Sequence, residues 1–259
     1  MRVIAYEQTW LYAGNLVWTA SNVYNIHSIP QGNQQGSRVY CTLVLANLSK
    51  IQKDILVGLM LGDGSLEYNG YQGTRLQVKQ SEEKKEYVFW LYSQFKHIVK
   101  TPPKQRKDTN QWYFGTRFCT DLEEIRQVFY KGRTKIVPDN IAEWFSSPLT
   151  IAVWFMDDGR LDFRVKSHYA YHISTDSFTE SEVRRLQKLL LDKFRITAKT
   201  YRSLCRGKYY PKLYIGSVGR DMFTRTVAPH ILSCFEYKLP PADQYTLTPQ
   251  RLHAELHTR

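Results

Sequence analysis

Leu56-Val57-Gly58-Leu59-Met60-Leu61-Gly62-Asp63-Gly64 is an apolar helical run closed by a carboxylate and a glycine. The chain repeats the device at Ile151-Ala152-Val153-Trp154-Phe155-Met156-Asp157-Asp158-Gly159. An acid at the C-terminal end of a helix is disfavoured by the helix macrodipole, and here it occurs twice at the same place. Two such helices suggest one active site built from two similar halves. Gly58 and Gly62 lie four apart, so one stripe of the first helix has no side chains. A glycine inside a helix costs about 1 kcal/mol against alanine. The stripe therefore implies that a second backbone comes very close. In the second run Val153 and Asp157 stand opposite Gly58 and Gly62, and only Ala152 is small nearby, so the expected seam is asymmetric.

Outward from these helices the pattern is regular. Ser49 caps the first one, and Gln52 three residues on closes a capping box. Ile51, Ile55, Gly58, Leu59 and Gly62 share a face, and Gly64 ends the helix. In Thr74–Gln80, Leu76 and Val78 alternate with Arg75, Gln77 and Lys79, which predicts a strand with one apolar and one polar face. An amphipathic helix over 82–98 stops at Thr101-Pro102-Pro103. A second strand region at 111–118, a helix over 121–130 and Lys135-Ile136-Val137-Pro138 complete the half. The second half repeats the order. Ser147 caps and Pro148 opens its helix. Strands fall at 167–175, 196–202 and 209–216, helices over 179–194 and from Gly219, and Tyr237-Lys238-Leu239-Pro240 closes it.

The expected organisation is a leader of unassigned role at 1–48, repeats at 49–146 and 147–240, and a polar tail at 241–259. The leader is rich in Asn, Gln, Ser and Gly over 25–37, with short strands conceivable at Val3–Ala5 and Tyr40–Leu45. Only Asp139–Ser147 joins the repeats, which predicts one compact body.

Composition narrows the partner. Lys and Arg number 36 against 24 acids, for a net charge of +12, and there are 18 tyrosines. A basic, Tyr-rich chain points to a polyanion, most often nucleic acid. Hydrophobic residues at 42% are enough to build a core. Cys41, Cys119, Cys205 and Cys234 form no CxxC pair or zinc spacing, which argues for reduced thiols rather than a disulfide scaffold. No apolar run reaches the roughly 18 residues that span a bilayer, and the N-terminus lacks a signal-peptide pattern.

Side-by-side motif helices would bring Asp63 and Asp158 together with orphan carbonyls such as those of Gly62 and Asp157. Such a cluster repels itself unless a cation binds, and hard oxygen donors suit Mg²⁺ or Ca²⁺. Two metals flanking a phosphate would activate a water and stabilise the leaving oxygen. Lys135 and Lys238 hold the same station in each half and could stabilise phosphorane-like charge. The histidines, His168 and His172 among them, make no HExxH pattern. Arg75, Gln77 and Lys79 in one half, and Lys199, Tyr201, Arg202, Lys208 and Lys212 in the other, are candidates to read base edges.

Together the two motifs resemble those of the LAGLIDADG homing endonucleases, in the single-chain form with two motifs, over about residues 49–240. The resemblance implies an α+β fold of two pseudo-symmetric αββαββα repeats, with motif helices packed at the repeat interface through Gly58, Gly62 and Ala152. It implies a saddle of two sheets over the DNA major groove. It puts the metal-binding acids on Asp63 and Asp158 and the site lysines on Lys135 and Lys238. Mg²⁺, with Mn²⁺ or Ca²⁺ able to take the same site, would support hydrolysis of both strands across the minor groove of a long target. A monomer, organellar, with double-stranded DNA as partner is implied. The same fold and basic surface also serve RNA maturases, whose partner is intron RNA, and a DNA-binding regulator on an inactive scaffold is a third reading. Both motif acids and both lysines are present, which argues against the last.

Overall fold

A computed structural model describes residues 47–241, apart from 71–72, 165–167 and 206. The expectations for the leader, its two strands and nearly all of the tail lie outside the described residues. Helix α1, Lys50–Leu61, begins on the expected capping box: Ser49 Oγ accepts from the Gln52 amide and Gln52 returns a bond to the Ser49 amide. It ends earlier than expected, with Gly62 as its C-cap and Asp63 already in the turn. Strands β1 (Ser65–Tyr68) and β2 (Thr74–Gln80) follow. Then come α2 (Lys85–Phe95), β3 (Lys104–Gln105), β4 (Trp112–Gly115) and α3 (Thr120–Phe129). A two-stranded hairpin, β5 (Tyr130–Lys131) and β6 (Thr134–Lys135), carries the first lysine. The connector holds one further short helix, α4 (Ile141–Trp144).

The second repeat is α5 (Pro148–Asp158), β7 (Gly159–Arg164), β8 (His168–Ser174), α6 (Glu180–Phe194), β9 (Lys199–Cys205), β10 (Lys208–Ile215) and α7 (Arg220–Val227). The order αββαββα therefore occurs twice, in an α+β fold. Each repeat forms a four-stranded antiparallel sheet, in the orders β1-β2-β4-β3 and β7-β8-β10-β9. The matching orders are the structural trace of the duplication. β1 and β7 were not apparent from sequence, because each follows its motif helix directly and is short or only half-buried.

Core and polar faces alternate as the strand period requires. In β2 Leu76 and Val78 are buried while Arg75, Gln77 and Lys79 look outward. In β10 Leu213 and Ile215 are buried, which sends Lys208, Tyr210, Lys212 and Tyr214 to the other face. The helices cover the apolar faces, and α1 and α5 make the most extensive helix–helix contact.

That seam runs through three levels spaced by helical turns. Thr150 Oγ1 donates to the Asp54 carbonyl at 2.9 Å. A Cβ on Gly58 would lie 2.7 Å from Val153 Cβ and 2.8 Å from the Thr150 carbonyl. A Cβ on Gly62 would overlap the Asp157 side chain. The helices are thus asymmetric as expected: glycine on α1 makes room for side chains on α5. Ala152 is buried but is not among the nearest neighbours of either glycine, and Ile51, 57% exposed, lies off the seam face. Among the described residues no helix is long and apolar enough to cross a membrane.

Candidate active site

The C-terminal ends of α1 and α5 deliver Asp63 and Asp158 to one place, near enough for the Asp63 charge to act on Asp158. Burial and then Asp63 push the Asp158 carboxyl up to about 7. Asp158 is half-buried and Asp63 exposed, so the pair opens to solvent on one side. Asp157 points the other way. Its Oδ2 accepts the Asp63 amide at 2.9 Å and fills the space that Gly62 leaves. Full burial, with Asp63 next in effect, pushes this carboxyl up to about 8. Its side chain ties one motif turn to the other, and its carbonyl is the donor it could offer a metal.

The lysines occupy equivalent stations. Lys135 Nζ donates to the Gly62 carbonyl at 2.6 Å and to the Leu59 carbonyl at 3.4 Å. Lys238 Nζ donates to the Met156 carbonyl at 2.7 Å and the Phe155 carbonyl at 3.2 Å. Each ammonium therefore sits on C-terminal carbonyls of its own motif helix, where the macrodipole favours a cation. This offsets the unfavourable acid beside it. Burial lowers the pKa of both, that of Lys238 to about 8. The Gly62 carbonyl keeps a second lone pair for another partner.

Sequence reasoning passed over two residues. Gln80 Nε2 donates to Asp63 Oδ2 at 2.9 Å. Its signal was its phase: Gln80 shares the buried face of β2 with Leu76 and Val78, and a buried amide needs a partner. Tyr87, on α2, is fully buried beside Asp157. Tyr87 and Asp157 are buried against each other: after burial itself, Asp157 pushes the Tyr87 hydroxyl up, and Tyr87 in turn acts to lower the Asp157 carboxyl. A tyrosine on an amphipathic helix gave no such signal.

Among the described residues no cluster of three or more His, Cys, Asp or Glu forms a metal cage. The donors are two carboxylates and nearby carbonyls. That set fits a hard divalent ion that keeps several waters and takes its remaining ligands from a substrate phosphate.

The candidate nucleic-acid residues divide. Arg75, Gln77 and Lys79 share the outward face of the first sheet, where the strand register sets Tyr113 beside Lys79 and Lys104 beside Tyr113. Arg75 and Gln77 both bond Glu67. Lys199, Tyr201, Lys208 and Lys212 share the corresponding face of the second sheet, joined by Arg160, Arg164, His168 and His172. His172 Nδ1 and Tyr201 Oη lie 2.8 Å apart. Lys212 reaches Asp176 at 3.3 Å. Arg202 departs from expectation: strand alternation turns it to the opposite face, where it pairs with Glu180.

Two duplicated repeats with paired acid-bearing helix ends between two polar sheet faces define a two-motif nuclease scaffold. A model of the LAGLIDADG DNA endonuclease family matches residues 53–218, and the chain belongs to that family. It is similar to the DNA endonuclease I-ChuI of Chlamydomonas applanata, 28% identical over 211 residues, which span 74% of this chain and 96% of that one. It is also similar to the cytochrome b mRNA maturase bI2 of Debaryomyces hansenii, 27% identical over 203 residues and 74% of each chain. Among solved structures, the homing endonuclease I-WcaI bound to its DNA recognition sequence matches with a TM-score of 0.65 at 24% identity. The match covers 77% of this chain and 88% of that one and shows a shared fold.

Proposed function

We propose that this homing endonuclease cuts both strands of a long double-stranded DNA site by Mg²⁺-supported hydrolysis, with Asp63 and Asp158 as metal ligands. The observation that carries this is the convergence of the two acids, one from each repeat, with Lys135 and Lys238 at matching stations. A divalent ion there would lower the pKa of a bound water and neutralise charge on the phosphate and leaving oxygen. Asp63 and Asp158 would hold it, with the Gly62 and Asp157 carbonyls as further donors. Gln80 keeps Asp63 oriented, and Asp157 fixes the Asp63 backbone. Lys135 and Lys238 place positive charge beside the acids, where a scissile phosphate would lie.

The outward sheet faces supply Arg75, Gln77, Lys79, Lys199, Tyr201, Lys208 and Lys212 for the duplex, in a saddle over its major groove. Phosphate contacts would set register and side-chain contacts to base edges would give sequence preference. We assign the repeats to 49–146 and 147–240 and read the protein as a monomer of organellar, intron-encoded origin. The similar protein named a maturase supports a second reading, assistance to splicing through intron RNA.

The test is cleavage of a plasmid library of candidate insertion sites with Mg²⁺ or with chelator, beside an intron-splicing assay. Mg²⁺-dependent linearisation of specific members is expected. Splicing stimulation without any DNA cleavage would replace the endonuclease reading with the maturase.

A further inference from the structure

Each lysine lies near the end of its repeat and rests on its own motif helix, yet the chain around it is also gripped by the opposite repeat. After Lys135 the first repeat offers one backbone tie, Ile136 N–H to the Phe129 carbonyl at 2.9 Å. Both backbone groups of Val137 then go to α6. Its N–H donates to Glu182 Oε1 at 2.9 Å, and its carbonyl accepts from Arg185 Nη1. Arg185 also pairs with Asp139 at 2.8 Å. Glu182 is buried, and its other oxygen accepts the Thr179 amide at 2.7 Å in the capping box of α6. One carboxylate therefore starts α6 and grips the chain two residues beyond Lys135. Lys193 of α6 continues the contact on the Ala142 and Phe145 carbonyls.

The other lysine is treated the same way. Lys238 ends the 3-10 segment Ser233–Lys238 of the second repeat. Ser233 Oγ donates to Glu86 Oε1 of α2 at 2.7 Å. The Tyr87 ring meets Phe235 edge to face at 5.2 Å, and both are fully buried. Phe235 in turn lies under Lys238 Nζ at 5.1 Å. Tyr87 and Glu182 stand the same number of residues after Asp63 and Asp158. The contacts differ in chemistry, aromatic on one side and ionic on the other, but occupy matching positions.

We propose that the two repeats hold each other's lysines: Glu182 and Arg185 of the second repeat position Lys135 of the first, and Glu86 and Tyr87 of the first position Lys238 of the second. Neither lysine is then set by its own repeat alone. The consequence for strand cutting rests on the endonuclease reading above; the positioning itself does not.

Two mild variants separate the clamps: Arg185→Ala removes the Val137 and Asp139 contacts, and Ser233→Ala removes the Glu86 contact. Lysine acetylation rates, read residue by residue by mass spectrometry on the full chain, report each amine's freedom. Arg185→Ala should speed labelling of Lys135 roughly two- to tenfold, the scale of one lost hydrogen bond, and leave Lys238 at the parent rate. Ser233→Ala should do the reverse. On a duplex cut by the parent and labelled on each strand, the two variants should slow opposite strands and accumulate oppositely nicked products. Unchanged labelling in either variant, or both lysines freed together, would overturn the proposal, as would equal slowing of both strands. A parent that cuts no DNA would sink the endonuclease reading, and labelling would still decide the clamp.

Discussion

Asp157 makes the clearest residue-scale case, because its carboxyl fills the gap at Gly62 rather than joining the open pair of Asp63 and Asp158. Its pKa and that of Asp158 lie above the ordinary value, so the folded metal-free protein holds protons that the unfolded chain has lost. Stability from these groups is complete below about pH 4 and lost as pH rises through about 7 for Asp158 and about 8 for Asp157. The metal-free melting temperature should therefore fall between pH 5 and 8.5, and Asp157→Asn should flatten that fall, since an amide keeps an acceptor for the Asp63 amide. Scanning calorimetry in chelator at several pH values checks this; parallel curves for parent and variant would count against it. With Asp158 as the proposed metal ligand, protons would compete with metal there, so Ca²⁺ affinity measured by titration calorimetry should weaken below about pH 7. Gln80 and Tyr87 show where the sequence was mute. Their neighbours come from other elements, and only the phase of Gln80 hinted at a buried partner.

Elements explain why two glycines suffice for a seam that looked mismatched. Gly58 on α1 accepts the bulk of Val153, and Gly62 accepts Asp157. Gly58→Ala gains helix propensity yet forces a methyl into Val153, so a net loss of about 1–3 kcal/mol is expected. Adding Val153→Gly, which removes the Cβ that the new methyl meets, should cost less than the two single losses added together, the sign of direct coupling. Additive losses in denaturant melts would place the contact elsewhere. The capping box, the Ser147–Pro148 start and the alternation of β2 were all legible, because each depends on residues close in sequence. Strand β9 was legible only in outline, and its facing was not. Its exposed residues occur on both faces, so burial alternation did not tell Lys199 and Tyr201 from Arg202. The structure's register predicts that Lys199→Ala lowers the salt slope of DNA binding by about one, while Arg202→Ala leaves it unchanged. Fluorescence titrations at several salt concentrations separate them; an equal change in both variants would contradict the facing.

The whole molecule is a duplication read through a single seam. Order and spacing of motifs exposed the two repeats, since a repeated string is a one-dimensional signal. The exchange of contacts between α2 and Ser233–Lys238, and between α6 and Val137, was not exposed, because it depends on how the halves dock. Docking is also what turns Asp63 and Asp158 into one site rather than two helix ends. The most direct test is cleavage of one selected target duplex in Mg²⁺ by the parent, Asp63→Asn and Asp158→Asn, with duplex binding followed in Ca²⁺. Each single variant should bind the duplex and lose cleavage by roughly a hundredfold or more, the scale of one missing transition-state contact. Either variant cutting both strands near the parent rate would contradict a shared site.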